Sequence, residues 1–163
     1  MRWEELDQQP CSLARTLSVV GDRWTLLVLR ECFMGVRRFD GFEKRLGVTR
    51  HVLADRLKKL TEAGVLDKVA YQERPLREEY RLTDKGRDLY PVIVTLVDWG
   101  DRYMSGPEGA PIQRTHRTCG HRMRGVLVCS ECAEPLRAGE VTLEEAEAFK
   151  GQLLPENWAS RFA

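Results

Sequence analysis

The sequence lacks any decisive excess of charge: 26 Lys and Arg stand against 25 Asp and Glu among 163 residues, a formal net charge of +1. A total so close to zero makes no case for a polyanionic partner, which would have to be met by local rather than overall positive charge. No apolar run approaches the roughly 20 residues of a membrane span. Residues 1–10 are charged and lack the apolar centre of a signal peptide. The expectation is a cytoplasmic protein without a membrane partner. G-x-S-x-G, P-loop and dinucleotide fingerprints are missing too, so no enzyme is expected. No internal repeat or low-complexity tract is visible. There are only five cysteines. In a reducing compartment these are free, redox-active or metal-bound rather than disulfide-bonded.

Present instead is an uneven distribution of charge. From Arg37 to Lys59 eight basic residues face three acidic ones. From Ala133 onward six Glu outnumber three basic residues. A basic central segment and an acidic tail follow.

Helix signals fill the first 63 residues. Ser12–Val20 reads as a short helix with Ser12 as cap, and Gly21 breaks it. Asp22 caps Arg23–Phe33, which Gly35 ends. Arg37–Leu46 is expected to be a third helix, with Phe39, Phe42 and Leu46 on one face. Gly47 and Val48 make a tight turn, and Thr49 caps a fourth helix, Arg50–Ala63, with Leu53, Leu57 and Leu60 as its core stripe. Helix, glycine-containing turn, helix is the helix-turn-helix pattern. Strands at 65–71 and 77–82, joined by a turn containing Pro75, add a wing. Thr83 caps a further helix reaching about Met104, kinked or restarted at Pro91. Its apolar residues (Tyr90, Val92, Ile93, Val94, Leu96, Val97 and Trp99 among them) are too many for one stripe. One face packs on its own domain and the other on a second subunit. The expected fold is mainly α with a small β-hairpin wing. Residues 1–105 form a winged helix-turn-helix domain for DNA binding and dimerisation. A linker at 106–112, a zinc-ribbon-like segment at 113–138, and a C-terminal helix and tail at 139–163 follow. Thr142 and Glu145 are read as the capping box of that last helix, over 143–154.

Several stretches, in order, carry a family likeness: Cys11 to Leu17, Gly21-Asp22-Arg23-Trp24, Arg38-Phe39-Asp40, Leu53 to Leu60, Glu79-Tyr80-Arg81-Leu82-Thr83 and Trp99-Gly100. Residues 11–104 thereby resemble the HxlR-type branch of the MarR-like winged-helix transcription regulators. The resemblance implies a homodimer binding palindromic double-stranded DNA, with repression as the expected output. The segment after 105 lies outside that pattern.

In such a motif the second helix enters the major groove by its N-terminal end. Thr49, Arg50 and His51 occupy that end, and arginine pairs bidentately with guanine. Arg56, Lys58 and Lys59 are expected at phosphates. Arg37 and Arg38 are placed at a helix N-terminus near the backbone of the DNA, and Arg74 and Arg77 at the wing tip. Solvated surface arginines are the plain alternative for each.

Cys129-Ser130-Glu131-Cys132 and the upstream His116-Arg117-Thr118-Cys119 present three thiols and an imidazole on two short loops. That set suits a closed, structural, tetrahedral zinc site. His121 is the alternate fourth ligand, Ala133 stands where glycine is common, and a redox-active dithiol is the competing reading. Arg114, Arg117, Arg122 and Arg124 surround the segment without nearby acids and are solvated by default. The resemblance also implies oxidant or electrophile sensing at Cys11, with Arg15 one turn on to favour its thiolate; a buried residue near the dimer interface is the alternative. Cys32 is read as core. A small-molecule effector between the DNA domain and the dimer helices is compatible with the family, but no residue set identifies one. A catalytic zinc protein is disfavoured: four protein ligands leave no open position, and no H-x-E is present. A winged-helix adaptor for protein or RNA contacts, with a structural zinc ribbon, is the remaining alternative.

Overall fold

The computed structural model describes residues 3–155. A 3-10 turn, Trp3–Gln8, leads into helices α1 (Ser12–Val20), α2 (Arg23–Phe33), α3 (Phe39–Leu46) and α4 (Arg50–Glu62). Strands β1 (Leu66–Glu73) and β2 (Leu76–Leu82) form an antiparallel hairpin. Two helices follow, α5 (Asp84–Arg87) and α6 (Tyr90–Tyr103). No helix among the described residues is long and apolar enough to cross a membrane.

Caps fix the helix starts. The Asp22 carboxylate accepts the Trp24 and Thr25 N–H groups at 2.9 and 3.3 Å. The Thr49 hydroxyl accepts from Val52 and that of Thr83 from Gly86. Each satisfies an N–H that the first helical turn leaves unpaired. At α1 the cap position belongs to Cys11, not Ser12, and has no side-chain bond.

The core is the convergence of apolar stripes. Leu53, Leu57 and Leu60 of α4 are fully buried against Val28 and Leu29 of α2, Phe42 of α3, and Val65 and Leu66 at the start of β1. Each such side chain removed from water contributes roughly 1.5–3 kcal/mol. Gly86 is dictated by closeness: a Cβ there would lie 2.2 Å from the Val65 carbonyl oxygen. Under α2 the fully buried Glu31 carboxylate holds Arg30 at 2.6 Å and also Arg45. The Arg45 pair ties α3 to α2.

Three expectations need correcting. Helix α3 begins at Phe39, not Arg37. Arg38 is its extended cap residue, and the Arg37 carbonyl instead accepts the Tyr80 N–H at 2.8 Å, joining the wing. The wing turn is shorter than expected, because pairing persists to Glu73↔Leu76 and leaves only Arg74 and Pro75, linked by a cis peptide bond. The restart expected at Pro91 is present: the stretch from Thr83 is two helices, the second with its proline in the first turn. The C-terminal helix does not form, and only a 3-10 turn, Glu147–Phe149, is present. The Glu145 carboxylate is not in a capping box. It accepts N–H groups from Gly151, Leu153 and Leu154 and curls the chain around itself. The rest of the predicted tail lies outside the described residues.

Candidate nucleic-acid interface and cysteine knuckles

Helices α3 and α4 meet at Gly47, whose left-handed backbone (φ 62°) makes the turn. Val48 buries its side chain and seats that turn on the core. Thr49, Arg50 and His51 are thereby left exposed together at the N-terminus of α4, as expected. In the free protein Arg50 is docked on α3. Its Nη1 lies 2.6 Å from Glu43 Oε2, and its guanidinium lies 4.7 Å from the centre of the Phe39 ring. Lys58 and Lys59 are exposed and make only surface pairs with Glu62 (3.6 Å) and Asp55 (3.2 Å). Such pairs are worth a few tenths of a kcal/mol and are readily exchanged for a phosphate.

Arg56 has a different place. Only 21% of its side chain is exposed, and its Nε lies 3.0 Å from Asp22 Oδ1, off line for a hydrogen bond, so the contact is an ion pair. With Asp55 also 3.0 Å from its Nη1, Arg56 fastens α4 to the cap of α2. On the wing side, Arg38 stacks on Tyr71 at 4.4 Å, and Arg37 lies 3.8 Å from the buried Glu79. Arg74 and Arg77 are exposed at the wing tip. The sequence reading missed the acidic partners Glu43, Asp22 and Glu79. Helical spacing cannot reveal pairs made between elements.

Helix α6 presents three faces, one more than its apolar residues foretold. Leu89, Ile93 and Val97 meet the core. Val94 and Asp98 meet the segment after the linker. Asp98 accepts the Gly125 N–H at 2.5 Å and pairs with Arg114, which also lies 3.7 Å from Asp101. A Cβ on Gly125 would come within 2.6 Å of Val94 Cγ1. Arg114 is therefore not a solvated arginine without acids nearby. The third face, Val92, Leu96, Trp99 and Tyr103, is exposed. Leu13 and Leu17 on α1 are exposed as well. A cavity of about 310 Å3, lined in part by Phe33, Met34, Tyr90, Val97 and Ile112, opens between α2, α6 and the linker.

The cysteines divide by environment. Cys32 is half-buried in α2, and desolvation pushes its thiol up to about 12. Cys11 is half-exposed at the head of α1, where the Arg15 guanidinium donates to the Pro10 carbonyl at 3.2 Å. In the 113–138 segment His116 Nδ1 lies 3.3 Å from Cys119 Sγ. Hydrogen bonds from the Cys132 and Glu131 backbone, and from the Cys132 thiol, hold the Cys129 thiol below its ordinary value. Among the described residues no three His, Cys, Asp or Glu side chains converge on one point. The backbone does show a repeat that residue types had concealed. Isolated bridges pair Thr115 with Arg122 and Val128 with Pro135, and both loops close through left-handed residues, Gly120 and Ala133.

A family model described as HxlR-like helix-turn-helix matches residues 19–108. Two uncharacterized HTH-type transcriptional regulators, Mb3122 of Mycobacterium bovis and Rv3095 of Mycobacterium tuberculosis, are each 49% identical to this chain. Each match spans 142 residues, 87% of this chain and 90% of the relative. A match of that length must include residues 22–142, so the likeness runs through both cysteine loops. The crystal structure of PA1607, described as a transcription factor, superposes with a TM-score of 0.78 and 36% identity, over 86% of this chain and 98% of that one. The redox regulator HypR in its reduced form matches with a TM-score of 0.53 and 28% identity, over 56% of this chain and 92% of its own.

Proposed function

Because the chain belongs to the HxlR-like helix-turn-helix family of transcription regulators, we propose that it binds a palindromic operator as a homodimer and represses transcription in the cytoplasm. The observation that carries this reading is the exposed, Thr49-capped N-terminus of α4, set between a tight turn and a wing. Thr49, Arg50 and His51 read base edges in the major groove, where arginine discriminates guanine. Lys58 and Lys59 meet phosphates along the groove. Arg74 and Arg77 reach the backbone or minor groove from the wing tip, while Arg37 and Arg38 lie where the wing joins α3. Arg56 holds α4 in place instead of contacting DNA.

The open stripe of α6, with Leu13 and Leu17 of α1, is the dimer surface. Two α4 helices related by a two-fold axis read half-sites about one helical turn of DNA apart. Two inputs fit this frame. The likeness to HypR, a redox regulator, supports Cys11 as a thiol that answers oxidants. The cavity beside Tyr90 and Ile112 supports a small apolar effector, whose binding would shift α6 against the DNA domain.

The test is direct. Duplexes from the DNA flanking the protein's own gene are searched for a protected inverted repeat. Binding to that repeat, to random duplex and to RNA is then measured across salt concentrations. The expected result is preference for the repeat, with log affinity falling linearly with log salt. Arg50→Ala is expected to cost about 1–3 kcal/mol on the repeat and much less on random DNA. Equal loss on both would reduce Arg50 to a phosphate contact. RNA bound as tightly as duplex would favour the adaptor reading.

A further inference from the structure

The two cysteine loops are one structural unit built twice. A constant offset of thirteen residues carries His116 onto Cys129, Cys119 onto Cys132 and Gly120 onto Ala133. The same offset carries over every backbone hydrogen bond that defines the loop. Gly120 N–H donates to the His116 carbonyl at 2.8 Å, and Ala133 N–H to that of Cys129 at 3.0 Å. His116 N–H donates to the His121 carbonyl at 2.9 Å, and Cys129 N–H to that of Glu134 at 2.9 Å. Met123 N–H reaches Arg114, and Leu136 N–H reaches Leu127, both at 2.9 Å. Ala133 is the only non-glycine residue with positive φ (59°) among the described residues. A left-handed alanine costs roughly 1–2 kcal/mol, so the second loop adopts this turn against local preference.

Nothing apolar holds these loops together. Between residues 113 and 138 none is buried, and only Arg114, Gly125 and Cys129 are even half-covered. Met123, Val126, Leu127, Val128 and Leu136 are all exposed. A unit this small and this open needs a cross-link other than a hydrophobic core. Each loop offers two soft or borderline donors at its closed end, together three thiols and an imidazole. That is a complete tetrahedral set for zinc.

We propose that residues 113–138 bind one zinc ion through His116, Cys119, Cys129 and Cys132, as a structural site that draws the two loops into one unit docked on α6. The repeat assigns the fourth ligand. His116 stands where Cys129 stands, whereas His121 matches Glu134, beyond the closing residue of the loop. Docking follows from Arg114 on Asp98 and Asp101 and from Gly125 against Val94, which place the unit on a face of α6 that the dimer stripe does not use.

The experiment uses the full chain, purified with a thiol-free reductant and without chelator from zinc-supplemented culture. Metal content by plasma emission is expected at one zinc per chain. Replacement by cobalt(II) is expected to give the thiolate charge-transfer and tetrahedral d–d bands. His116→Ala and the Cys129→Ser/Cys132→Ser pair are expected to weaken zinc binding on the order of tenfold or more, and His121→Ala to leave it unchanged. Absence of bound zinc, a cobalt spectrum without thiolate bands, or loss through His121 but not His116 would each overturn the proposal. Circular dichroism of the variants, dominated by α1–α6, shows that the winged helix is folded. Duplex binding measured on the same samples keeps a failure of the zinc site separate from a failure of DNA reading.

Discussion

Arg50, the proposed base reader, is held only by weak exposed contacts. Its pair with Glu43 is between exposed groups, 66% and 32% accessible, and such pairs are worth about 0.2–1 kcal/mol. A bidentate guanine contact discriminates by about 1–3 kcal/mol. If Arg50 reads a base as proposed, that contact outweighs its pair with Glu43, and the Phe39 ring and Glu43 fix where the guanidinium starts from. Arg56 is the contrasting case. Because it joins α4 to the Asp22 cap, Arg56→Ala is expected to lower the melting temperature while leaving the salt dependence of DNA binding unchanged; a shallower salt slope would put it back among the phosphate contacts. Glu145 supplies a pH signature. The N–H groups of Leu154, Leu153 and Gly151 hold its carboxylate below the usual range. A depressed acid stabilises its fold fully above its unfolded pKa and loses that contribution as pH falls through the lowered value. Amide shifts of Leu153 and Leu154 are expected to move over that acidic window and not near neutrality. Glu145→Gln is expected to abolish the transition.

Among the elements, α6 does the most separate things. Its open stripe of Val92, Leu96, Trp99 and Tyr103 is a large apolar surface for one chain to leave in water. Replacing Leu96 or Trp99 by Asp is expected to convert a dimer to a monomer in sedimentation or light scattering, and to weaken operator binding with it. A variant that remains dimeric would move the interface elsewhere. The stripe was legible in the sequence because helical period and apolar residues are local facts. The helix-turn-helix was legible for the same reason, through Gly47, Thr49 and the leucines of α4. The faces and pairs that went unread all depend on partners far along the chain: Glu31 with Arg45, Asp22 with Arg56, Asp98 with Arg114. The third face of α6 is invisible until residues 114 and 125 are seen against it. The missing C-terminal helix has the opposite cause. Thr142 and Glu145 have the spacing of a cap, but three downstream N–H groups compete for the same carboxylate and take it.

For the whole molecule, position outweighs total charge. A chain of net charge +1 concentrates its cations on α3, α4 and the wing, and places its acidic tail beyond the cysteine loops. The buried core draws on residues from Val20 to Ile93, and among the described residues nothing in it comes from beyond residue 112. A chain ending at residue 112 is therefore expected to fold, dimerise and bind the same operator. Its melting temperature should fall by several degrees or more without loss of the cooperative transition, since Val94, packed against Gly125, is newly opened to water at a cost of at most roughly 1.5–3 kcal/mol. Calorimetry and operator binding of that shortened chain check this; global unfolding would mean the cysteine loops are part of the core. The surface beneath them on α6 can tolerate their departure, because the Asp98 and Asp101 carboxylates that pair with Arg114 would then be hydrated instead. The loops are thus a fitting attached by a charge, a glycine and a valine, and the same socket could accept another module of matching basic character, grafted after residue 112 without redesigning α4 or the open stripe of α6.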